Sequence, residues 1–444
     1  AVNAGPAIWR LDDAGHRRLA RVLARRGVNM VRLHGPLYDA SSGAFDGKRL
    51  ERLHHLVAAL KGEGIYSALS FWFPAWFRFS AWHREKGKWT FMLLFYHPGM
   101  QKLYFDWARA ILKPENPHTG LSLAADPALA ILEIQNEDSH FFHTFRESSV
   151  PPARWQELKA LYGSWLERKY GSLEKAIRAW GGWWEKGDEP RAGRMHLLPA
   201  WHLTRDGLRH ARGRRRRRPA DQAAFLARNM RAFYERARDF FRRECGYEGL
   251  LSCGNWHTAD PATLEALERW CYGAGDVIDH HGYFGGGHEG KAASYSVRVG
   301  QTFASASALA LERPWPLAFV ANAGKPHILS EVGWPMPNAY RAEGTFLGAA
   351  YGSLLGLDGI FHFAVNSDTW CRDVPKFALN IPSVLGTFFA SAYIYRTGCV
   401  EEGPVVAAEN LRLEELLDLR GSRAHAGIAL DELRAADLPA GRSA

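Results

Sequence analysis

Two glutamates stand where carboxylate chemistry is expected. Glu137 closes the apolar run Ala130, Ile131, Leu132 with Asn136 beside it, and Glu331 follows Ile328 and Leu329, with Gly333 and Trp334 after it. Cleavage of a glycosidic bond needs one carboxylic acid to protonate the leaving oxygen and one carboxylate to act at the anomeric carbon. The pair stands about 5 to 5.5 Å apart for retention and about 6.5 to 9.5 Å apart for inversion. The two glutamates are far apart in the chain, so only the fold can join them. A lone glutamate at a strand end is ordinarily an ion-pair partner, and Glu133 serves as the control. Strand alternation turns it opposite to Ile134, toward flanking helices or an internal ion pair.

The elements that must position these residues alternate charged amphipathic stretches with short apolar runs ending in polar, His or aromatic residues, the pattern of repeated β/α units. Helices are expected over Leu11–Arg26, Leu50–Glu63, Gly99–Leu112, Pro152–Tyr170 and Ala223–Cys245. Strands are expected over Val28–Leu33, Tyr66–Phe71, Ala130–Ile134, Gly249–Ser252, Val277–Ile278, Ile328–Leu329 and Gly359–Phe363, with Ala1–Pro6 as the tail of an eighth. Eight parallel strands close a (β/α)8 TIM barrel, an α/β fold whose chemistry sits at the C-terminal strand ends. The expected organisation is a catalytic barrel over residues 1–395, with a long insertion after strand 4 over about 139–221, and a C-terminal extension over 396–444. The extension is open to being the start of a small further domain. A helical region is expected from Ala364 to about Tyr395.

Composition narrows the class. The 444 residues, 47% of them apolar, suffice for one large core with decorations. The 17 tryptophans exceed what an ordinary enzyme needs and offer flat faces for sugar rings, although most tryptophans are core. Much of the net charge of +9 is local, in Arg212 and the run Arg214–Arg218 before Pro219, which is expected to be a solvated loop rather than a nucleic-acid or polyanion site. The five cysteines show no zinc spacing and are expected to be structural or free thiols. No stretch is apolar enough to span a membrane, so a soluble protein without a membrane partner is expected. The chain begins at Ala1 rather than Met, consistent with a processed or trimmed form, so secreted and cytoplasmic placement are not distinguished. Oligomeric state is unassigned.

At the two glutamates the sequence resembles the clan of retaining β-glycosidases that includes the family 5 cellulases and mannanases and the family 2, 35 and 42 β-galactosidases. The motifs occur in order: Asn136 and Glu137 for strand 4, His281, Gly282 and Tyr283 for strand 6, and Ser330, Glu331, Val332, Gly333, Trp334 for strand 7. The segment Gly27–His34 resembles the clan's second strand, with His34 at its end. The resemblance implies that Glu137 is the general acid/base, Glu331 the nucleophile, Arg32 a hydrogen-bond partner near the nucleophile and Asn136 a ligand of the sugar 2-hydroxyl. It implies too that Tyr283 bonds the nucleophile and holds it ionised, with a low pKa, while that of Glu137 is raised. His34 and His281 are expected to line the substrate site. Two departures concern the sugar itself. Ser70, Phe71 and Trp72 stand where family 5 members carry Asp-x-His, so Trp72 becomes the expected aromatic contact. At the eighth strand's end, where many members place a tryptophan floor, Phe363 is nearest in position and Trp370 is the nearest tryptophan.

Other features are weaker. His280, His281, His288 and Glu289 straddle a glycine run without helical ligand spacing, so no metal and no cofactor are expected. Asn255, Trp256 and His257 either line a subsite or pack a loop, and Trp334 is a candidate sugar platform. The partner implied is an oligosaccharide or polysaccharide, and the long insertion favours a walled pocket. Competing readings are a transglycosylase on the same site, a non-catalytic carbohydrate-binding protein on the same barrel, and polyanion binding by the arginine run.

Overall fold

Short runs rich in Val, Leu and Ile form eight strands: β1 Val2–Ala4, β2 Met30–His34, β3 Tyr66–Ser70, β4 Leu129–Glu133, β5 Leu250–Ser252, β6 Ile278–Tyr283, β7 His327–Gly333 and β8 Gly359–Val365. The computed structural model describes residues 1–77, 89–285, 288–289, 297–310 and 315–427. Each strand pairs in parallel with the next in sequence from β1 to β5 and from β6 to β8. β8 returns to β1 through Val2 and His362. A parallel bridge between Ser252 and Val277 joins β5 to the start of β6 and completes the ring. The expected (β/α)8 barrel is therefore present, with its first strand inside the segment Ala1–Pro6.

Alternation along the strands stacks the barrel interior in layers. Ala68, Ile131, Val277, Ile328 and Phe361 form a small apolar cluster at the lower end. Two residues further along their strands, Ser70, Glu133, Asp279, Ser330 and Phe363 follow, joined by Arg32 and Asn3. Most of this upper layer is polar and buried. In β7 the register to β6 slips between Leu329 and Glu331. Such an irregularity re-aims side chains, and here the consecutive residues Ser330 and Glu331 both bond groups inside the barrel.

The outer helices follow from caps and apolar spacing. Helix α1, Asp13–Arg25, starts where the Asp12 carboxylate accepts from Gly15 N, and buries His16, Leu19, Ala20 and Leu23 on one face. Helix α2, Gly47–Gly62, is capped by Asp46 in the same way. Helix α3, Pro98–Leu112, begins with proline at its first position. Between β4 and β5 lie α4, Pro152–Tyr170, the short helix Leu173–Ala179, several single turns, and the long α5, Arg217–Arg243.

The arginine run differs from the solvated loop expected. It forms a 3-10 turn over Gly213–Arg216 leading into α5. Arg218 is fully buried, paired through both terminal nitrogens with Asp188 at 2.7 Å, and its guanidinium lies 4.8 Å from the Trp180 ring. A helix packed on the insertion needs its inward positions filled, and the matched carboxylate and indole face let one arginine fill one. The others in the run are exposed.

Further helices are α6, Ala266–Tyr272, α7, Glu343–Leu354, and α8, Phe388–Arg396. Where a helical region is expected from Ala364, β8 runs on to Val365 and the chain is then irregular from Asn366 as far as Ile381. Amides tie it instead: Asn366 donates to Phe377 O and Asn380 to Thr369 O, both at 2.7 Å. Helix begins only at Pro382. Further on, α9, Leu413–Leu417, packs on α5 and α6, and Ser422 N donates to Ala262 O. Residues 428–444 of the expected extension lie outside the described residues. Among the described residues no helix is long and apolar enough to cross a membrane.

Candidate active site

The site is assembled around Arg32, which β2 delivers into the barrel with 1% of its surface exposed. Its Nε and Nη2 donate to the two oxygens of Glu133 at 2.8 and 2.9 Å. Nη1 donates to Glu331 Oε1 and to Asn3 Oδ1, and Nη2 donates also to Asn136 Oδ1, all at 2.8 Å. Glu133, the sequence control, thus faces inward in an ion pair and further accepts from Ser70 Oγ at 2.6 Å. A planar fork of five donors suits this many acceptors, where an ammonium would not.

Glu331 receives donors on both oxygens, Arg32 on Oε1 and the Tyr283 hydroxyl on Oε2 at 2.6 Å. Glu137 is held differently. Its backbone sits at φ 45°, the left-handed region uncommon for a residue with a Cβ, where strain often accompanies function. Its N–H donates to Asn255 Oδ1 at 2.9 Å, and its Oε1 lies 2.8 Å from His281 Nδ1. One oxygen from each of Glu137 and Glu331 lies with that imidazole in a group whose members are all within 4.8 Å of one another.

Burial dominates the electrostatics. The Glu137 carboxyl is pushed up to about 7 by desolvation, with Arg32 pulling down and Glu133 pushing further up. Glu331 is also raised by burial, although His281, Arg32 and the Tyr283 hydrogen bond pull it back. The expectation of a low value for Glu331 is therefore corrected, because a buried site taxes every charge before its partners act. Burial lowers His281 to about 4, so its ring is neutral near neutral pH.

The other predicted residues divide. Tyr283 and Asn136 stand beside the carboxylates. His34 is nearly buried, bonds Ser70 Oγ at 2.9 Å and packs 4.3 Å from the Trp76 ring. His281 and Asn255 are buried and hold Glu137, rather than lining open space. Trp72 is a correction: it is fully buried among Tyr38, Phe77, Tyr104 and Trp107, because its side chain points into the layer between barrel and helices. Trp334 is a second, 6% exposed and stacked on Phe284 at 5.3 Å, with Gly344 backed against its face. Trp370 is a third, exposed beneath Arg26, the residue after α1, rather than inside the mouth.

Residues to which the sequence reading gave no role of their own complete the wall. Phe363, on the edge of the mouth, lies 6.2 Å from the Tyr283 ring and 5.3 Å from Phe377, and Trp76 is half-buried beside His34. Asn3, Ser70 and Ser330 are buried polar residues facing Arg32 or His281. Their only sequence signal is a polar side chain inside a strand otherwise apolar. Of the suspected histidine cluster, His280 turns outward to His327 at 3.2 Å. Gly286, Gly287 and the His288 side chain lie outside the described residues. In the group Glu137, His281 and Glu331, both oxygens of Glu331 and both imidazole nitrogens already have partners.

No protein-family model and no curated protein matches this chain. Solved structures do. A β-galactosidase from the Antarctic haloarchaeon Halorubrum lacusprofundi aligns with a TM-score of 0.57 at 13% identity, covering 95% of this chain and 61% of that one. A GH5_18 protein from Streptomyces cattleya, in complex with Manb1-4GlcNAc, aligns with a TM-score of 0.53 at 14% identity, covering 98% of this chain and 92% of that one. The chain thus spans about three fifths of the length of the β-galactosidase. What is shared at these identities is the fold, the (β/α)8 barrel of these glycosidases.

Proposed function

We propose that this chain is a retaining β-glycoside hydrolase, with Glu331 as nucleophile and Glu137 as general acid/base. The observation that carries this reading is the carboxylate pair formed by Glu137, just past the end of β4, and Glu331 in β7, with one oxygen of each within 4.8 Å in unlike surroundings. That spacing sits closer to the retaining separation than to the inverting one, which must leave room for a water. Glu331, gripped by Arg32 and Tyr283, is the member held as an anion. Glu137, with a carboxyl near 7 and only a neutral imidazole on Oε1, is the member able to carry a proton to the leaving oxygen.

In the first step Glu331 attacks the anomeric carbon while Glu137 protonates the departing oxygen. Esterified Glu331 no longer offsets the Arg32 charge, so Glu137 ionises more readily. It then takes a proton from water as the water attacks the glycosyl ester. The Asn136 amide, its Oδ1 bound to Arg32, leaves its NH2 end for the sugar 2-hydroxyl. The half-buried rings of Phe363, Phe377 and Trp76 offer apolar faces at the mouth. The substrate class is a β-linked oligosaccharide. β-Galactosides and β-mannosides are the first to try, given what the two structural neighbours are.

The test is release of phenol from aryl β-glycosides of galactose, mannose, glucose, xylose and fucose, by the wild type and Glu331→Ala. Cleavage of at least one member is expected, lost by on the order of 10⁴-fold in the variant. Equal activity in both proteins contradicts the assignment. Sugar-bearing products formed in place of free sugar would assign a transglycosylase to the same two glutamates.

A further inference from the structure

His281 bridges two groups. Its Nδ1 lies 2.8 Å from Glu137 Oε1 and its Nε2 lies 2.8 Å from Ser330 Oγ. A neutral imidazole has one donor nitrogen and one acceptor, and the hydrogen bond at one nitrogen decides the role of the other. We propose that the Ser330 hydroxyl sets the tautomer of His281, and through it the oxygen of Glu137 that carries the transferable proton. The proposal rests on the reading of Glu137 as acid/base and adds Ser330 to it as a positioning residue.

When Ser330 donates to Nε2, the imidazole proton is on Nδ1 and points at Oε1. The acid proton of Glu137 must then sit on Oε2. In the opposite tautomer the Nδ1 lone pair takes the carboxyl O–H as its donor and turns that proton away from any leaving group. The surroundings of Ser330 favour donation. Alternation from the interior Ile328 turns its side chain inward, and its N–H and C=O are fixed by Asp279 Oδ1 and Asn3 Nδ2, both at 2.9 Å. Asn255 Nδ2, at 3.4 Å, approaches the hydroxyl as a donor and so occupies its lone-pair side. The competing acceptor is Asp279, and burial pushes its carboxyl up to about 8, which weakens it as an acceptor at neutral pH. Asn255 also accepts from Glu137 N, so one amide fixes the Glu137 backbone and steers the hydroxyl. The charged and titratable groups facing His281 are Glu137, Glu331, Arg32, Glu133 and His257.

The test has two arms on the full chain: the tautomer of His281 by long-range ¹H–¹⁵N correlation, and turnover of a phenyl and a 2,4-dinitrophenyl β-glycoside. Wild type, Ser330→Ala and Ser330→Thr are compared, with melting temperature as the check on folding. The expected result is Nδ1–H in the wild type and in Ser330→Thr, and a shift toward Nε2–H in Ser330→Ala. Turnover of the phenyl glycoside, which needs the acid, should fall about 10²-fold in Ser330→Ala, the low end for lost acid catalysis. The dinitrophenyl glycoside, which leaves unaided, should fall far less. An Nε2–H wild type, or an unchanged tautomer with equal losses on both substrates, overturns the proposal. Failure of the glycosidase reading shows separately, as a wild type inert on both glycosides, and the tautomer then still decides what Ser330 does.

Discussion

Two of the buried arginines in this protein, Arg32 and Arg218, do different work. Arg218, in the insertion, meets one carboxylate, Asp188, with two parallel hydrogen bonds, and it further touches the Trp183 and His196 carbonyls and the Trp180 and Trp183 rings. Charge is matched one to one. Arg32 meets two carboxylates, Glu133 and Glu331, together with two amides and a hydroxyl. Its cluster holds more negative charge than it can neutralise. One carboxylate, Glu331, faces another, Glu137. A matched ion pair holds structure, whereas an overfilled one suits the role proposed for Glu331.

Removing each arginine separates the two roles. Arg32→Met leaves Glu133 and Glu331 buried without their cation. Turnover should fall on the order of 10³-fold, as for loss of a strong preorganised donor, and the melting temperature should drop as well. Arg218→Met strands Asp188 and should cost about 3 to 5 kcal/mol of stability in denaturant titration, with turnover per folded molecule close to wild type. If Arg218→Met lowers turnover as much as Arg32→Met while fully folded, the distinction fails.

Smaller changes sharpen the Arg32 side. Tyr283→Phe removes one hydrogen bond to a charged oxygen, worth about 1.5 to 3 kcal/mol, so turnover should fall about 10- to 100-fold. Because that bond helps lower the Glu331 pKa, the acid limb of the kcat/KM profile should also move to higher pH. In the wild type, activity should be lost as pH rises through about 7, where Glu137 gives up its proton. It should also be lost as pH falls through a Glu331 value above that of an ordinary carboxyl. A basic limb that stays put when Glu137 is replaced by Gln, with activity retained, would assign it to another group.

Much of this was readable in the chain because barrel strands are short apolar runs punctuated by the residues they carry to the mouth. Val28–Leu33 ends at His34, and Ala130–Ile134 ends at Asn136 and Glu137. Tyr283, Arg32 and the two glutamates came together where strand order placed them. Aromatic roles were not readable, since a tryptophan looks alike whether it fills the layer under the helices, as Trp72 does, or lines the mouth, as Trp76 does four residues later. Which arginine of a run is buried depends on Asp188 and Trp180, distant in sequence. Ser330 was quoted only as part of a motif, because alternation turns it inward without showing that its hydroxyl meets His281; Glu331 beside it faces inward only through a register slip that alternation does not foresee. Asn255 was left between a subsite and a packed loop, and what it does is hold the Glu137 backbone.

The most direct measurement is trapping the glycosyl-enzyme. The protein would be treated with 2-deoxy-2-fluoro β-glycosyl fluorides of galactose and mannose, and the intact mass and peptide map recorded. A gain of one fluorosugar per chain, located on Glu331 and absent in Glu331→Ala, is the predicted result. Turnover of β-glycosides with no adduct, or with an adduct on another residue, would contradict the account.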